Sequence, residues 1–293
     1  MGLCIYSNGE FLTDKAKAVT SIYDHGFLYG DGIFEGIRVY NGLIFMFPEH
    51  MKRLYDSAKS IALKIPMPRE ELSRITIETV RRTGYKDAYI RLVVSRGEGD
   101  LGLDPRKCPK PSIYIIADSI QLYPAEKYKV GLKVITCSTR RNSPDVICPQ
   151  IKSLNYLNNI LAKIEVNRAG ADEGIMLNPN GYVCEATADN IFVVKNGVMF
   201  TPPPYVGVLL GITRQCVLDI AKKLNIEVIE RNIVMHDVYT ADEVFLTGSA
   251  AELIPVVNAD DRIIDDGKPG PIFKNLLAEF REMTKHRGTP VYD

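Results

Sequence analysis

Lys152 stands in "CPQIKSLNYLNN", residues 148–159, after Pro149 and between Ile151 and a stretch rich in leucine and asparagine. A lysine amine does covalent chemistry only when it is unprotonated, and an apolar setting favours the neutral form by removing water from the ammonium. Other segments carry groups that suit one kind of ligand. Glu185, in "GYVCEATADNIFVV", sits among apolar neighbours on an expected strand, where a buried carboxylate could keep a ring nitrogen protonated. Gly211, Ile212 and Thr213, in "VLLGITR", open an expected helix. Unpaired N–H groups and the helix dipole favour a phosphate there by about 0.3–1 kcal/mol. Ser249, in "FLTGSAAE", lies in a small-residue turn whose backbone N–H groups suit an anion. Arg53 supplies a cation worth about 1.5–3 kcal/mol per charged hydrogen bond. Singly, these are a solvated lysine, an edge-strand carboxylate, a plain helix cap and a polar turn. Together they are what an aldehyde cofactor with a phosphate and a pyridine nitrogen requires.

Such groups need elements to hold them. Asn8-Gly9, Asn41-Gly42 and Asn196-Gly197 lie between apolar-rich flanks and predict type I′ hairpins, hence antiparallel sheet, because both turn positions take positive φ. "PEHMKRLYDSAKSIAL" carries Met51, Leu54, Tyr55, Ala58, Ile61 and Ala62 at helical spacing, with Pro48 in the first turn. "REELSRITIETVRRTG" is a second helix, stopped by Gly84. "DAYIRLVVSRG" and "SIYIIADS" read as buried strands, separated by the long loop "GEGDLGLDPRKCPKP", which has no element of its own. The pattern restarts near "QLYPAEKYK". This divides the chain into a smaller N-terminal domain, 1–119, a linker, 120–127, and a larger domain, 128–293. In the larger one, "GLKVITCST" is a strand, and a helix is expected over residues 153–168 with Leu154, Leu157, Leu161 and Ile164 on one stripe. Lys152 would then stand at a loop-to-helix junction. "GITRQCVLDIAKKLN" and "PGPIFKNLLAEFREMTK" complete the helices, and strand-rich halves with helices set aside indicate an α+β fold.

Composition narrows the function. The 36 basic residues balance 36 acidic ones, so no overall field favours nucleic acid. The scattered cysteines (Cys4, Cys108, Cys137, Cys148, Cys184, Cys216) form no pair or cluster at zinc-ligand spacing, and His25, His50, His236 and His286 point to no metal site. No run approaches the roughly 20 apolar residues of a membrane span, and the N-terminus does not read as a secretory signal. The expectation is a cytoplasmic protein without a membrane partner.

"HGFLYGDGIFEGIRVYNG", "HMKRL", "DAYIRL", "IKSLNYLNN", "CEATADNIF", "GVLLGITR" and "ADEVFLTGSAAELIPV" occur in that order along nearly the whole chain. The ordered set resembles the class IV family of pyridoxal-phosphate aminotransferases, and branched-chain amino-acid aminotransferases most closely. The resemblance implies fold type IV: a small N-terminal α/β sandwich and a larger domain with a β-barrel-like core. It implies pyridoxal 5′-phosphate as cofactor, with Lys152 forming the internal aldimine and moving the proton between Cα and C4′. Glu185 is implied to contact the pyridine nitrogen, Arg53, Ile212, Thr213 and Ser249 to hold the phosphate, and Tyr156 to hydrogen-bond the phenolic oxygen. The substrate carboxylate would lie near Tyr89, Arg91 and the N–H groups of Ser249 and Ala250. Tyr29, Phe34 and Gly36 would line the side-chain pocket, with Arg38 either supporting it or paired inside the small domain. The implied reaction is ping-pong transamination between L-leucine, L-isoleucine or L-valine and 2-oxoglutarate.

Some positions depart from that pattern. "KSLNY" is one residue shorter than in many branched-chain enzymes, a form shared with D-amino-acid aminotransferases and aminodeoxychorismate lyases, which are the alternative reading. "EATADN" replaces the commoner "EGSGEN", and Leu92 follows Arg91 where proline is frequent. Phe34 and Arg38 in "GIFEGIR" favour the branched-chain group. Accepting glutamate requires a cation for its γ-carboxylate, and Arg91, Arg96 and Arg106 are candidates. "GDLGLDPRKC" resembles a segment that in relatives approaches the neighbouring subunit's active site, which implies a homodimer or higher homo-oligomer.

Overall fold

The computed structural model describes residues 2–119 and 123–292; the first three residues of the expected linker, 120–122, lie outside them. The chain divides into two compact units. One comprises Met1–Ile120, Ile151–Asn155 and Thr284–Asp293, the other Gln121–Gln150 and Tyr156–Met283. Each combines a large sheet with helices, which is the α+β class.

The first unit contains strands β1 (Cys4–Ser7), β2 (Glu10–Leu12), β3 (Gly32–Tyr40), β4 (Leu43–Ile44), β5 (Ala88–Ser95) and β6 (Ser112–Asp118). With Thr289–Pro290 they form one antiparallel sheet in the order Thr289–Pro290, β4, β3, β5, β6, β1, β2. The Asn-Gly turns behave as their residues dictate: Asn8 and Gly9 take φ of 48° and 113°, Asn41 and Gly42 of 46° and 80°. The helices are α1 (His25–Tyr29), α2 (Phe47–Ser60) and α3 (Arg69–Thr83), the last stopped by Gly84 in the left-handed region. Leu54 of α2 and Leu72 and Val80 of α3 pack with Ile33, Ile37, Ile90, Leu92 and Ile115 into a fully buried core. Strand periodicity puts Phe34, Gly36, Arg38 and Tyr40 on the opposite face of β3, beside Val93, Arg91 and Tyr89 of β5.

Residues 151–155 join this sheet. Phe34 N–H donates to Lys152 O at 2.9 Å, Leu154 N–H donates to Gly32 O at 2.9 Å, and Ser153 bridges to Ile33. Lys152 is therefore carried by the first unit, a placement that a cut at the linker alone does not give. The long loop after β5 also has more structure than its composition indicates. Asp104 caps a 3₁₀ turn at Pro105–Lys107, Tyr29 donates its hydroxyl to Leu101 O at 2.6 Å, and His25 Nε2 lies 2.8 Å from Asp100 O.

The second unit contains β7 (Leu132–Thr136), β8 (Glu173–Leu177), β9 (Val183–Ala186), β10 (Asn190–Lys195), β11 (Val198–Thr201), β12 (Val228–Glu230), β13 (Glu243–Gly248), β14 (Glu252–Ala259) and β15 (Arg262–Ile263). Its helices are α4 (Lys127–Val130), α5 (Leu157–Arg168), α6 (Ile212–Lys223), α7 (Met235–Tyr239) and α8 (Pro271–Thr284). The strand order is β12, β11, β10, β13, β14, β7, β8, β9, with β15 on β14. β9 turns directly into β10 through an Ala186 N–H bond to Asp189 O of 2.7 Å, so the path returns beside itself and encloses Val134, Ile175, Ile191, Leu246 and Ile254. That is a barrel-like core.

Helix α5 differs from expectation. It starts at Leu157 rather than 153, which leaves Leu154 outside it, and the other stripe residues are exposed: Leu157 is 67% exposed, and Leu161 and Ile164 are exposed, as is Ile160. The buried side is Asn159, Ala162 and Val166. Small Ala162 allows close approach to β8, and the Asn159 amide donates to Thr187 O at 2.7 Å. Because the helix is apolar on two sides, the stripe alone did not determine which side turns inward. Among the described residues no helix is long and apolar enough to cross a membrane.

Candidate active site

In the first unit the outward face of β3 gathers six of the expected residues. The Phe34 ring has Lys152 Nζ 4.7 Å and Arg91 Cζ 4.6 Å from its centroid. A π face attracts cations, by roughly 0.5–2 kcal/mol each. Arg91 Nη2 also donates to the Tyr89 hydroxyl at 3.3 Å. That hydroxyl lies over Gly36, where a Cβ would come within 2.0 Å of it. Glycine is required there by close approach. The stem of Lys152 is fixed from two sides: its N–H donates to Ser57 Oγ of α2 at 3.2 Å and its carbonyl accepts from Phe34 of β3. Arg38 lies with its guanidinium 5.0 Å from the Tyr40 ring, and its buried Nε has no hydrogen-bond partner. Among the described residues it makes no ion pair.

On the inward face of the same strand lies a charged cluster that sequence reading missed. Glu35 is fully buried. It accepts from Arg53 Nε at 2.7 Å and Nη2 at 2.8 Å, and from His50 Nδ1 at 2.7 Å. His50 and Arg53 share one face of α2 because they are three residues apart. Burial alone would push the Glu35 carboxyl up, but the charges and hydrogen bonds of Arg53 and His50 outweigh it and hold it down at about 2. Burial lowers the His50 imidazole below its ordinary range against the pull of Glu35, so Nδ1–H is the donor and the ring is neutral near pH 7. The available signal was a charged residue at an inward position of an alternating strand, with His50 and Arg53 beside the apolar Met51 and Leu54.

The second unit holds the carboxylate and the anion-binding turns. Glu185 is buried on β9. Its Oε1 accepts from Arg141 Nε at 2.8 Å, and its Oε2 accepts from Asn190 Nδ2 at 3.1 Å and Leu209 N–H at 2.9 Å. A carboxylate has about four acceptor positions, and these bonds take three. One more N–H donor, such as a protonated ring nitrogen, fits. Asn190 Oδ1 packs against Gly211, where a Cβ would meet it at 2.0 Å. Gly211 caps α6 without a side-chain bond, so the first-turn N–H groups of Ile212 and Thr213 suit an external anion. Thr247 lies opposite Asn190 across the β10–β13 pair, and its buried hydroxyl has no partner. Ser249 and Ala250 follow in the turn from β13 to β14. Carboxylate, helix start and turn are thus gathered around Asn190, as a phosphate and a ring nitrogen would need. The unusual "EATADN" turn is braced from below: the buried Glu173 carboxylate accepts from Thr187 N–H at 3.2 Å and from Lys163 Nζ at 3.1 Å.

The remaining expected residues fall as follows. Tyr156 is the half-buried N-cap residue of α5, in the second unit. Tyr29 ends α1. Arg96 bonds both Asp31 oxygens, at 2.8 and 3.0 Å, and the carbonyls of Ala62 at 2.8 Å and Ile61 at 2.7 Å. Its donors face the protein, which makes it a structural arginine. Exposed Arg106 is paired with Asp104 at 2.6 Å. Of the three candidate cations for a side-chain carboxylate, Arg91 is the one on the Phe34 face.

A family model described as amino-transferase class IV matches residues 32–259. A putative branched-chain-amino-acid aminotransferase of Methanocaldococcus jannaschii is 52% identical over 289 residues, covering 99% of each chain. The structure of the Escherichia coli branched-chain amino acid aminotransferase matches with a TM-score of 0.93 at 35% identity, covering 96% of this chain and 94% of that one. The T.th. branched-chain amino acid aminotransferase, complexed with N-(5′-phosphopyridoxyl)-L-glutamate, matches with a TM-score of 0.91 at 38% identity, over 97% and 94% of the two chains.

Proposed function

Because the chain belongs to the class IV aminotransferases, with relatives of the branched-chain type, we propose that it exchanges the amino group between L-leucine, L-isoleucine or L-valine and 2-oxoglutarate by a ping-pong route at Lys152. The observation that carries this is the fixed stem of Lys152, clamped by Phe34 and Ser57, with its amine on the Phe34 ring beside Arg91.

The cofactor is pyridoxal 5′-phosphate, which when bound supplies an electron sink for charge developing at the substrate's Cα. The chain's own residues do the rest. Glu185 accepts the pyridine N–H. The N–H groups of Ile212, Thr213 and Ser249 are assigned to the phosphate, and so is Arg53, which Glu35 holds at two points. Tyr156 donates to the phenolic oxygen. Lys152 Nζ would be the base that takes up and returns the proton of the substrate's Cα. Tyr89, bonded by Arg91, and the N–H groups of Ser249 and Ala250 hold the α-carboxylate, and Tyr29, Phe34 and Gly36 bound the side-chain pocket with Arg38 behind them. One methylene changes binding by only about 1–3 kcal/mol, so Val, Leu and Ile are all accepted. Arg91, the candidate cation on the Phe34 face, is the cation for the γ-carboxylate of glutamate; acceptance of glutamate itself is supported by the L-glutamate adduct in the T.th. relative.

The active form is a homodimer or larger homo-oligomer in the cytoplasm. Supporting a second copy are the exposed apolar side chains of the first unit, Val19, Ile22, Phe27, Leu101 and Leu103, and the exposed Leu157, Ile160, Leu161 and Ile164 of α5. The free thiols suit a reducing compartment. A monomer with full activity in size-exclusion chromatography would remove the oligomer. For the reaction, the purified yellow protein is mixed with L-leucine or D-alanine in separate half-reactions. L-leucine should bleach the aldehyde absorption and 2-oxoglutarate restore it; conversion by D-alanine alone would overturn the assignment.

A further inference from the structure

We infer that Glu35 is a positioning residue for the phosphate-binding arginine: its buried carboxylate, braced by His50, fixes the direction in which Arg53 presents its N–H groups. This rests on the reading of Arg53 as a phosphate ligand. It goes beyond it by assigning selectivity for the phosphorylated cofactor to a residue that need not touch that cofactor.

The geometry is specific. Arg53 approaches Glu35 with its Nε–Nη2 edge, at 2.7 and 2.8 Å, in a two-point contact that leaves the guanidinium plane little rotational freedom. His50 Nδ1, at 2.7 Å, bonds the same oxygen as Nη2 and keeps the carboxylate from turning with the arginine. Glu35 is fully buried and the Arg53 side chain is 14% exposed, so water competes weakly for either. Glu35 also neutralises the charge of Arg53. What Arg53 offers an anion is therefore oriented donors more than net charge. One turn further along α2, Ser57 bonds the backbone N–H of Lys152. The amine and the guanidinium are thus set by the same pair of elements: β3 through Phe34 and Glu35, α2 through Ser57 and Arg53.

A buried ion pair that only staples α2 to β3 would affect stability and leave ligand selectivity alone. The two roles separate by titrating the apoprotein, by absorbance and fluorescence, with pyridoxal 5′-phosphate and with pyridoxal, which lacks the phosphate. In Glu35→Gln the affinity for the phosphorylated form should fall roughly tenfold or more while that for pyridoxal stays within about twofold. The double variant Glu35→Gln/Arg53→Met should be no worse than Arg53→Met alone. If Glu35→Gln does not fold, Glu35→Asp, which keeps the charge and withdraws it by one methylene, reads the same ratio and should lower it. A wild-type ratio in a folded Glu35 variant overturns this inference alone. A wild-type protein that binds the two aldehydes equally overturns the phosphate reading and this inference with it.

Discussion

Gly36→Ala tests the substrate side of the site with little disturbance elsewhere. The φ of Gly36 lies outside the left-handed region, in ordinary strand, so its backbone does not need glycine. The added Cβ would lie 2.0 Å from the Tyr89 hydroxyl oxygen and 2.9 Å from its Cζ. A carbon–oxygen contact relaxes to about 3.3 Å, so the hydroxyl must retreat by about 1.3 Å. The yielding group is the far end of a half-buried side chain, which keeps the stability cost near the low end for overpacking, about 1 kcal/mol. Catalysis is less forgiving, since about 1 Å of misplacement can cost roughly 100-fold. In steady-state kinetics with L-leucine, kcat/KM should fall about 100-fold, while titrated affinity for pyridoxal 5′-phosphate stays within about twofold. Added to Tyr89→Ala, which removes the clash, Gly36→Ala should cost almost nothing more. Wild-type kcat/KM in Gly36→Ala, or an equal loss in both backgrounds, would refute the argument.

Lys152→Ala should melt like the wild-type apoprotein, because the bonds to Phe34 and Ser57 are made by its backbone; the protein should lack both the aldehyde absorption band and turnover, and near-normal turnover would reject the assignment. Glu35, held at about 2 against an ordinary 4.5, contributes stability above pH 4.5 that is lost as pH falls towards 2. Between pH 5 and pH 3 the wild type should lose about 2 kcal/mol more than Glu35→Gln in denaturant titrations. His50, depressed below 6.5, adds a loss of the same sign as pH falls through that value. Arg96→Leu leaves Asp31 and two carbonyls without donors and should destabilise by about 3 kcal/mol with an unchanged preference for glutamate over leucine. Arg91→Leu should instead raise KM for glutamate more than for leucine; a glutamate-selective loss in Arg96→Leu would reverse those roles.

How much of this was legible depends on whether the information was local. The Asn-Gly turns at residues 8, 41 and 196 became hairpins because their positive φ is a property of two residues and needs nothing distant. Gly84 stopped α3 for the same reason. The α5 stripe did not say which side of the helix turns inward; the choice was made by Ala162 packing closely and by an Asn159 bond to Thr187, 28 residues away. Arg96 and Arg91 look alike in sequence. Only the carbonyls of residues 61 and 62, more than 30 positions distant, reveal that one of them is structural.

The Lys152 stem and the site around it illustrate why local reading finds the chemistry and misses its support. Consecutive residues of β3 point to opposite faces, so "FEGIR" encodes two layers at once: Phe34, Gly36 and Arg38 on the face that carries the lysine and Arg91, Glu35 and Ile37 towards α2 and the core. The outward residues stand out because they are odd for a strand surface. Glu35 looks like any polar residue until α2 is laid against it, 15 to 18 positions later, and only then is it seen that its partners are His50 and Arg53. Resemblance assigned Arg53 to the phosphate. A guanidinium held at two points by a buried carboxylate binds an anion through direction, so changing Glu35 should alter which ligand is preferred.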